Sequence, residues 1–250
     1  MSQPDPGQAP SYLILGATGG IGTSLSRRLA ARGARLVLAA RDADRLGRLA
    51  AELQAVSHPL DASRMDEVSA CVEAVVRANG RLDGAVNCVG SLLLKPAHLT
   101  NEAEWLATVT ANLTTAFALV RSAAKAMMTG GGSIVLASSA AARVGLANHE
   151  AIAAAKAGVI GLTLSAAATY APYGVRVNCV APGLVRTPMT ARLTGNEASL
   201  KASTAMHPLG RIGEPDDVAR AMDWLLSPEQ SWVTGQVLGI DGGLATARAR

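Results

Sequence analysis

The sequence predicts a single-domain α/β fold, a doubly wound parallel sheet with helices on both faces. Three observations carry this. Short apolar runs rich in branched residues alternate with longer amphipathic stretches, the pattern of strand–helix–strand crossovers. The first such run passes directly into a glycine-rich turn and then into a helical stretch. The chain has 250 residues, 49% of them apolar and mostly Ala, Leu and Val, which is enough for one sizeable core without division.

In chain order, Ser11–Leu15 is the first strand, followed by a helix through about Arg32. Arg35–Ala40 is the next strand, with a helix over Ala43–Gln54. A short strand at Val56–Pro59 precedes a helix over Arg64–Asn79. Leu82–Asn87, Ser133–Ala137 and Val175–Val180 are further strands, separated by long helices over Asn101–Met128 and Glu150–Tyr170. A helix over Pro215–Leu226 precedes a last strand at Gln236–Ile240. The segment Thr187–His207 has no strand signal and reads as a mobile lobe over the site. Residues 1–10, rich in Pro, Gln and Gly, read as a disordered tail, with the folded domain over 11–250.

Composition excludes several classes. A formal charge of +4, with arginines scattered among acids, is an ordinary solvated surface rather than a nucleic-acid or membrane patch. One Phe and few other aromatics leave no platform for stacking bases. No uninterrupted apolar run approaches the ~20 residues of a spanning helix, and the N-terminus lacks the basic start and apolar stretch of a signal peptide. Cys71, Cys88 and Cys179 are odd in number and without a CxxC pair, as expected of buried thiols in a reducing cytoplasm. His58, His98 and His207 have no ligand spacing, so no metal is expected.

The turn Gly16-Ala-Thr-Gly-Gly-Ile-Gly22 lies after the first strand and before the first helix. That context makes it a phosphate-binding turn of the Rossmann type, where glycines let the backbone approach a pyrophosphate on the helix N-terminus. Gly16, Thr18, Gly20, Ile21 and Gly22 are its candidate contacts. At the end of the second strand, Ala40 stands where a site selecting NAD wants a carboxylate. Arg41 follows immediately, so NADP(H) is the expected cofactor, with plain surface charge as the other reading of Arg41. Asp42 is expected to face solvent.

From Ser11 to Gly243 the chain resembles the short-chain dehydrogenase/reductase superfamily, particularly members similar to 3-oxoacyl-acyl-carrier-protein reductases. The resemblance rests on the Gly16/Gly20/Gly22 turn, Asn87-Cys-Val-Gly90, Asn112, Ser138-Ser139, Lys156, Pro182-Gly183 with Thr187, Arg211-Ile-Gly-Glu-Pro215 and Val233–Gly243. It implies that Asp61 meets the adenine with Ala62 beside it, and that Asn87 and Gly90 shape the chain near the adenosine ribose. It implies that Asn112 holds a water and the local helix geometry, that Ser139 hydrogen-bonds the substrate oxygen, and that Lys156 binds the nicotinamide ribose. Pro182, Gly183, Val185 and Thr187 would contact the nicotinamide end. A homotetramer using the two long helices and the C-terminal strand is also implied, and those helices carry apolar residues on more than one face.

One position departs from the family pattern, which has a Tyr four residues before the Lys. Ser139 and Lys156 keep the register, but the residue there is Ile152, and no Tyr occurs between Tyr12 and Tyr170. Tyr170 and Tyr173 read as structural. Ile can neither donate a proton to a developing alkoxide nor be poised by a cation, and loss of a general acid costs about 10²–10⁴ in rate. His149, three residues earlier, is a candidate substitute, since an imidazole can serve as an acid near neutrality; Glu150 is another if burial raises its pKa. Helix-start duty competes for both, with Asn148 as the expected N-cap. The expected function is an atypical NADP(H)-dependent oxidoreductase reducing a carbonyl, imine or activated double bond. The alternative is a catalytically silent NADP-binding protein acting as sensor or inactive oligomer partner. A non-redox dehydratase or dehalogenase ranks last, because such relatives would lose the cofactor turn retained here. Leu93, Leu94, Val144 and Leu146 are expected to give the substrate pocket apolar walls.

Overall fold

The computed structural model describes residues 9–247. Most of the expected N-terminal tail and the last three residues lie outside the described residues, but Pro10 O and Ala9 O accept bonds from Arg35 N and Nε at 2.8 and 3.2 Å. The chain then runs β1 (Ser11–Leu15), α1 (Gly20–Ala31), β2 (Arg35–Ala40), α2 (Ala43–Leu53), β3 (Val56–Pro59), α3 (Met65–Asn79) and β4 (Gly84–Asn87). It continues through α4 (Glu102–Val109), α5 (Thr115–Met127), β5 (Gly132–Ala137), α6 (Glu150–Tyr170) and β6 (Val175–Pro182). The last part is α7 (Ala191–Thr194), α8 (Glu197–Met206), α9 (Pro215–Leu226) and β7 (Val237–Ile240).

Among the described residues the sheet has seven strands, all parallel, in the order β3-β2-β1-β4-β5-β6-β7. Alternation along the strands feeds two cores. Leu13 and Leu15 face α3 and α5, while Tyr12, Ile14, Leu36 and Leu38 face α1, α2 and α9. The winding direction reverses between β1 and β4, where Leu15 lies beside both Ala39 and Asn87. These strands therefore end together, and the crevice beyond their carboxyl ends is where a doubly wound sheet receives ligands.

Three elements differ from expectation. The helix foreseen over Asn101–Met128 starts on Asn101 with a capping box to Glu104, then widens into a π-turn at Thr110–Thr114. Asn112 Nδ2 donates to Thr108 O at 2.9 Å and Thr115 Oγ1 to Ala111 O at 3.0 Å, so side chains compete with backbone groups at the widened turn. The Thr187–His207 lobe is helical, built from a 3₁₀ turn at Pro188–Thr190 followed by α7 and α8. The N-cap of α6 is His149 rather than Asn148, because Asn148 sits in the left-handed region at φ +64°.

Together with its terminal turn to Tyr173, α6 is long and apolar enough to cross a membrane by length and composition, with mean hydropathy 1.6. It packs on β6 and beside α4 as a cover of the sheet, and its outer side leaves Leu164 exposed. The expectation that no stretch reaches that length counted uninterrupted apolar runs only. Lys156 and scattered small polar residues break the run without changing the mean.

Candidate active site

The turn between β1 and α1 is held by two N–H groups, Gly16 and Ala17, donating to Ala39 O at 2.8 and 3.2 Å. Gly16 has φ +76°, and a Cβ on Gly22 would stand 2.3 Å from Gly16 O, so neither end of the turn admits a side chain. Helix α1 begins at N-cap Gly19 with no side-chain cap and no acidic residue in its first turn. Its leading N–H groups and the positive end of its dipole thus face the crevice open, an anion site by construction.

At the end of β2, Asp42 is exposed, and its Oδ1 accepts from Arg45 N at 2.9 Å, capping α2. Arg45, one turn into α2, donates from Nη2 to Thr18 O at 2.9 Å and lines the cleft. Arg41 is exposed and lies outside the lining, near enough to Asp61 for its charge to act there. The Asp61 carboxyl is held below its ordinary range, first by bonds from Ser63 N and Oγ at 3.0 and 2.8 Å. Ala62 is buried beside it. Asn87, 2% exposed, donates to Thr115 Oγ1 and accepts from Val89 N at 2.9 Å, so it shapes the chain leaving β4 from behind the cleft.

The cleft has a volume of about 550 Å³. It brings together Thr18, Gly20, Ile21 and Gly22 with Gly90, Asn112, Ser139, His149 and Lys156. Pro182, Gly183, Val185 and Thr187 form the opposite side. The turn and that side approach closely, since a Cβ on Gly20 would lie 2.9 Å from Thr187 Cγ2. Gly16, Arg41, Asp61, Ala62 and Asn87 do not line it. Of the apolar walls foreseen, Leu94 and Leu146 are lining residues. Leu92 stands there in place of Leu93, and Val144 does not reach the cleft.

The polar floor has definite geometry. Lys156 is 8% exposed, and its Nζ donates to Ala137 O at 2.7 Å. Burial pushes the ammonium down to about 8. Ser138 Oγ donates to Lys156 O at 2.9 Å, fixing α6 against the end of β5. Ser139 Oγ accepts from Ala141 N at 3.1 Å, which leaves its hydroxyl proton free for another acceptor. Asn112 is committed to Ser91 and Thr108: Oδ1 accepts from Ser91 N at 3.2 Å, and Nδ2 donates to Ser91 Oγ and Thr108 O.

Helix α6 presents His149, Ile152 and Lys156 to the cleft at helical spacing. Ile152 is buried at 3% exposure. His149 Nδ1 meets Ala147 O at 2.7 Å; a carbonyl only accepts, so Nδ1 carries hydrogen and Nε2 is the atom free to take or give a proton. Glu150 is exposed and lies outside the cleft. Tyr170 packs on the core and Tyr173 is exposed, and neither lines the cleft. Sequence reading missed Arg45 and His207 as lining residues. Their contacts reach 27 and 23 positions along the chain, to Thr18 and Leu184, and no local pattern announces them.

A family profile described as "Enoyl-(Acyl carrier protein) reductase" matches residues 16–245. The chain is 37% identical over 240 residues to 3-oxoacyl-[acyl-carrier-protein] reductase FabG of Thermotoga maritima, covering 93% of this chain and 96% of that one. It is similar to the structure of a short-chain type dehydrogenase/reductase from Mycobacterium ulcerans, with TM-score 0.92, 34% identity, and coverage of 97% and 92%. A variant of ElxO with a tyrosine replaced by phenylalanine, solved with NADPH bound, superposes with TM-score 0.89 at 27% identity, covering 95% of this chain and 99% of that one.

Proposed function

Because the chain belongs to the short-chain dehydrogenase/reductase family, we propose that it is an NADP(H)-dependent oxidoreductase that reduces a carbonyl, imine or activated double bond without the phenolic acid usual to the family. The observation that carries this reading is one cleft lined both by the uncapped start of α1 and by Ser139 and Lys156.

The residues fit the dinucleotide. The glycine turn, closed to any Cβ at Gly22, leaves room for a pyrophosphate against the α1 N–H groups. Arg45, with Arg41 nearby, supplies cations where a 2′-phosphate would lie, and Asp42 is committed to its helix cap. Lys156 has hydrogens beyond the one given to Ala137 O, and these serve ribose hydroxyls. Thr187, Val185 and Pro182 wall the nicotinamide end. When bound, the cofactor supplies hydride.

The chain's own groups handle the charge that follows. Ser139 gives its free hydroxyl proton as a hydrogen bond to the substrate oxygen, and cationic Lys156 stabilises negative charge building there. His149 Nε2, when protonated, is the acid that faces the cleft. No Asp or Glu lines the cleft among the described residues, so a neutral carbonyl or conjugated double bond suits it better than a protonated iminium, which Lys156 would repel.

The buried Ile152 favours a second reading, an NADP-binding protein without turnover that acts as sensor or inactive partner. NADPH oxidation measured against ketones, oxoacyl thioesters, enones and cyclic imines separates the two. Turnover of any class establishes the reductase, while tight NADPH binding with silence across the panel establishes the second reading. Exposed Trp105, Leu106, Phe117 and Leu164 on α4 to α6 support a homotetramer. Three free cysteines support a reducing cytoplasm.

A further inference from the structure

We propose that His207 is a positioning residue that pins the helical lobe over the cleft to the loop leaving β6, and thereby sets how tightly substrate is held; the second half rests on the reductase reading above. The lobe contributes Met189, Leu193, Ser203 and Met206 to the cleft, yet neither α7 nor α8 buries a single residue. Its seating therefore does not come from apolar packing along the helices. It is tied at its two ends. At the first end Thr190 Oγ1 bonds Val185 O and accepts from Thr187 N at 3.0 Å. At the second end stands His207, only 3% exposed, directly after α8.

The ring bridges two elements. Nδ1 meets Ser203 O at 2.7 Å within the lobe, and Nε2 meets Leu184 N at 3.2 Å in the loop after β6. The carbonyl only accepts and the amide only donates, so one neutral tautomer, hydrogen on Nδ1, satisfies both contacts. The surrounding backbone is shaped to admit the ring. A Cβ on Gly183 would fall 2.5 Å from His207 Nε2. Gly183 thus has a structural duty besides lining the nicotinamide end: any side chain there would push the strut out of its slot.

The test uses the full-length protein with two variants, His207→Phe and His207→Gln. Phe keeps the ring volume and removes both hydrogen bonds. Gln can donate to Ser203 O and accept from Leu184 N. Hydrogen exchange is followed by mass spectrometry over 187–206 and over the β5–β6 sheet, with substrate KM and kcat measured beside it. Each lost hydrogen bond is worth about a factor of five to ten. The Phe variant is therefore expected to exchange at least about tenfold faster across the lobe with the sheet unchanged. Its KM rises by a similar factor while kcat changes less, and the Gln variant stays near the native protein in both. Native-like lobe exchange in the Phe variant overturns the proposal, and so does a loosened lobe with unchanged KM. A native protein silent with every substrate would instead overturn the reductase reading, and the exchange result would still decide whether His207 pins the lobe.

Discussion

Replacing Ile152 by Tyr places a phenol on the face of α6 that carries Lys156 one turn further on. Ile152 is 3% exposed but lines the cleft, so the longer ring can extend toward it. The Lys156 ammonium, charged below about 8, favours the phenolate and so makes the phenol a better acid than in water. A positioned proton donor contributes about 10²–10⁴ in rate, which is about 3–5 kcal/mol of barrier. Enlarging a nearly buried side chain costs about 1–3 kcal/mol of stability, which a domain of this size tolerates. The assay is kcat for NADPH oxidation over the ketone and oxoacyl panel, native beside variant, with NADPH Kd from fluorescence titration and a melting curve for each. The expected result is a kcat at least about a hundredfold higher with ketones, and a Kd within about twofold of native. A folded variant that binds NADPH normally and reduces ketones no faster would refute the reasoning, because position 152 would then not be where the proton is lacking.

Gly22→Ala sets a Cβ 2.3 Å from Gly16 O and must open the turn, so NADPH binding is expected to fall below detection in a titration while the sheet still folds by circular dichroism. Arg45→Ala should weaken NADPH by about tenfold and leave NADH unchanged, the loss of one charged contact to phosphate. An equal loss for both cofactors would assign Arg45 to the pyrophosphate instead. Lys156 gives a pH signature. Its folded value of about 8 lies below the ordinary 10.5, so the folded chain bears the full cost of burying the ammonium below pH 8. Between about 8 and 10.5 the unfolded chain binds more protons, and stability rises with pH by roughly 3 kcal/mol. Urea unfolding at pH 7 and pH 10 measures this rise, and Lys156→Met should abolish it. NADPH affinity should move the opposite way, falling as pH passes about 8 and the cation is lost.

How much of this was legible beforehand follows from the range over which each feature is encoded. The strands Ser11–Leu15, Arg35–Ala40 and Val56–Pro59 coincide with their expected bounds, because apolar runs and punctuating residues are local signals. The glycine turn was legible for the same reason. Ser139, Asn112 and Lys156 were found through ordered motifs, and the cleft gathers all three. The span Glu150–Tyr170 of α6 coincides with expectation, and only its N-cap was misplaced by one residue, His149 in place of Asn148. Asn148 is a good capping residue by type, but the chain needs a left-handed step there, and Asn tolerates that step as well.

The sequence by itself determined the strand and helix pattern, the phosphate-binding turn, and the presence of Ile at position 152, since each depends on neighbouring residues and their spacing. Only the tertiary structure decided which side chains meet across the crevice. Arg45 reaches Thr18 because β1 and β2 end side by side, and His207 reaches Leu184 because the lobe folds back on the end of β6. It also decided that Glu150 faces solvent and that Lys156 is buried deeply enough to lose its ordinary basicity. Burial, and contacts between residues distant in sequence, arise from packing the whole chain, and no local stretch of residues encodes them.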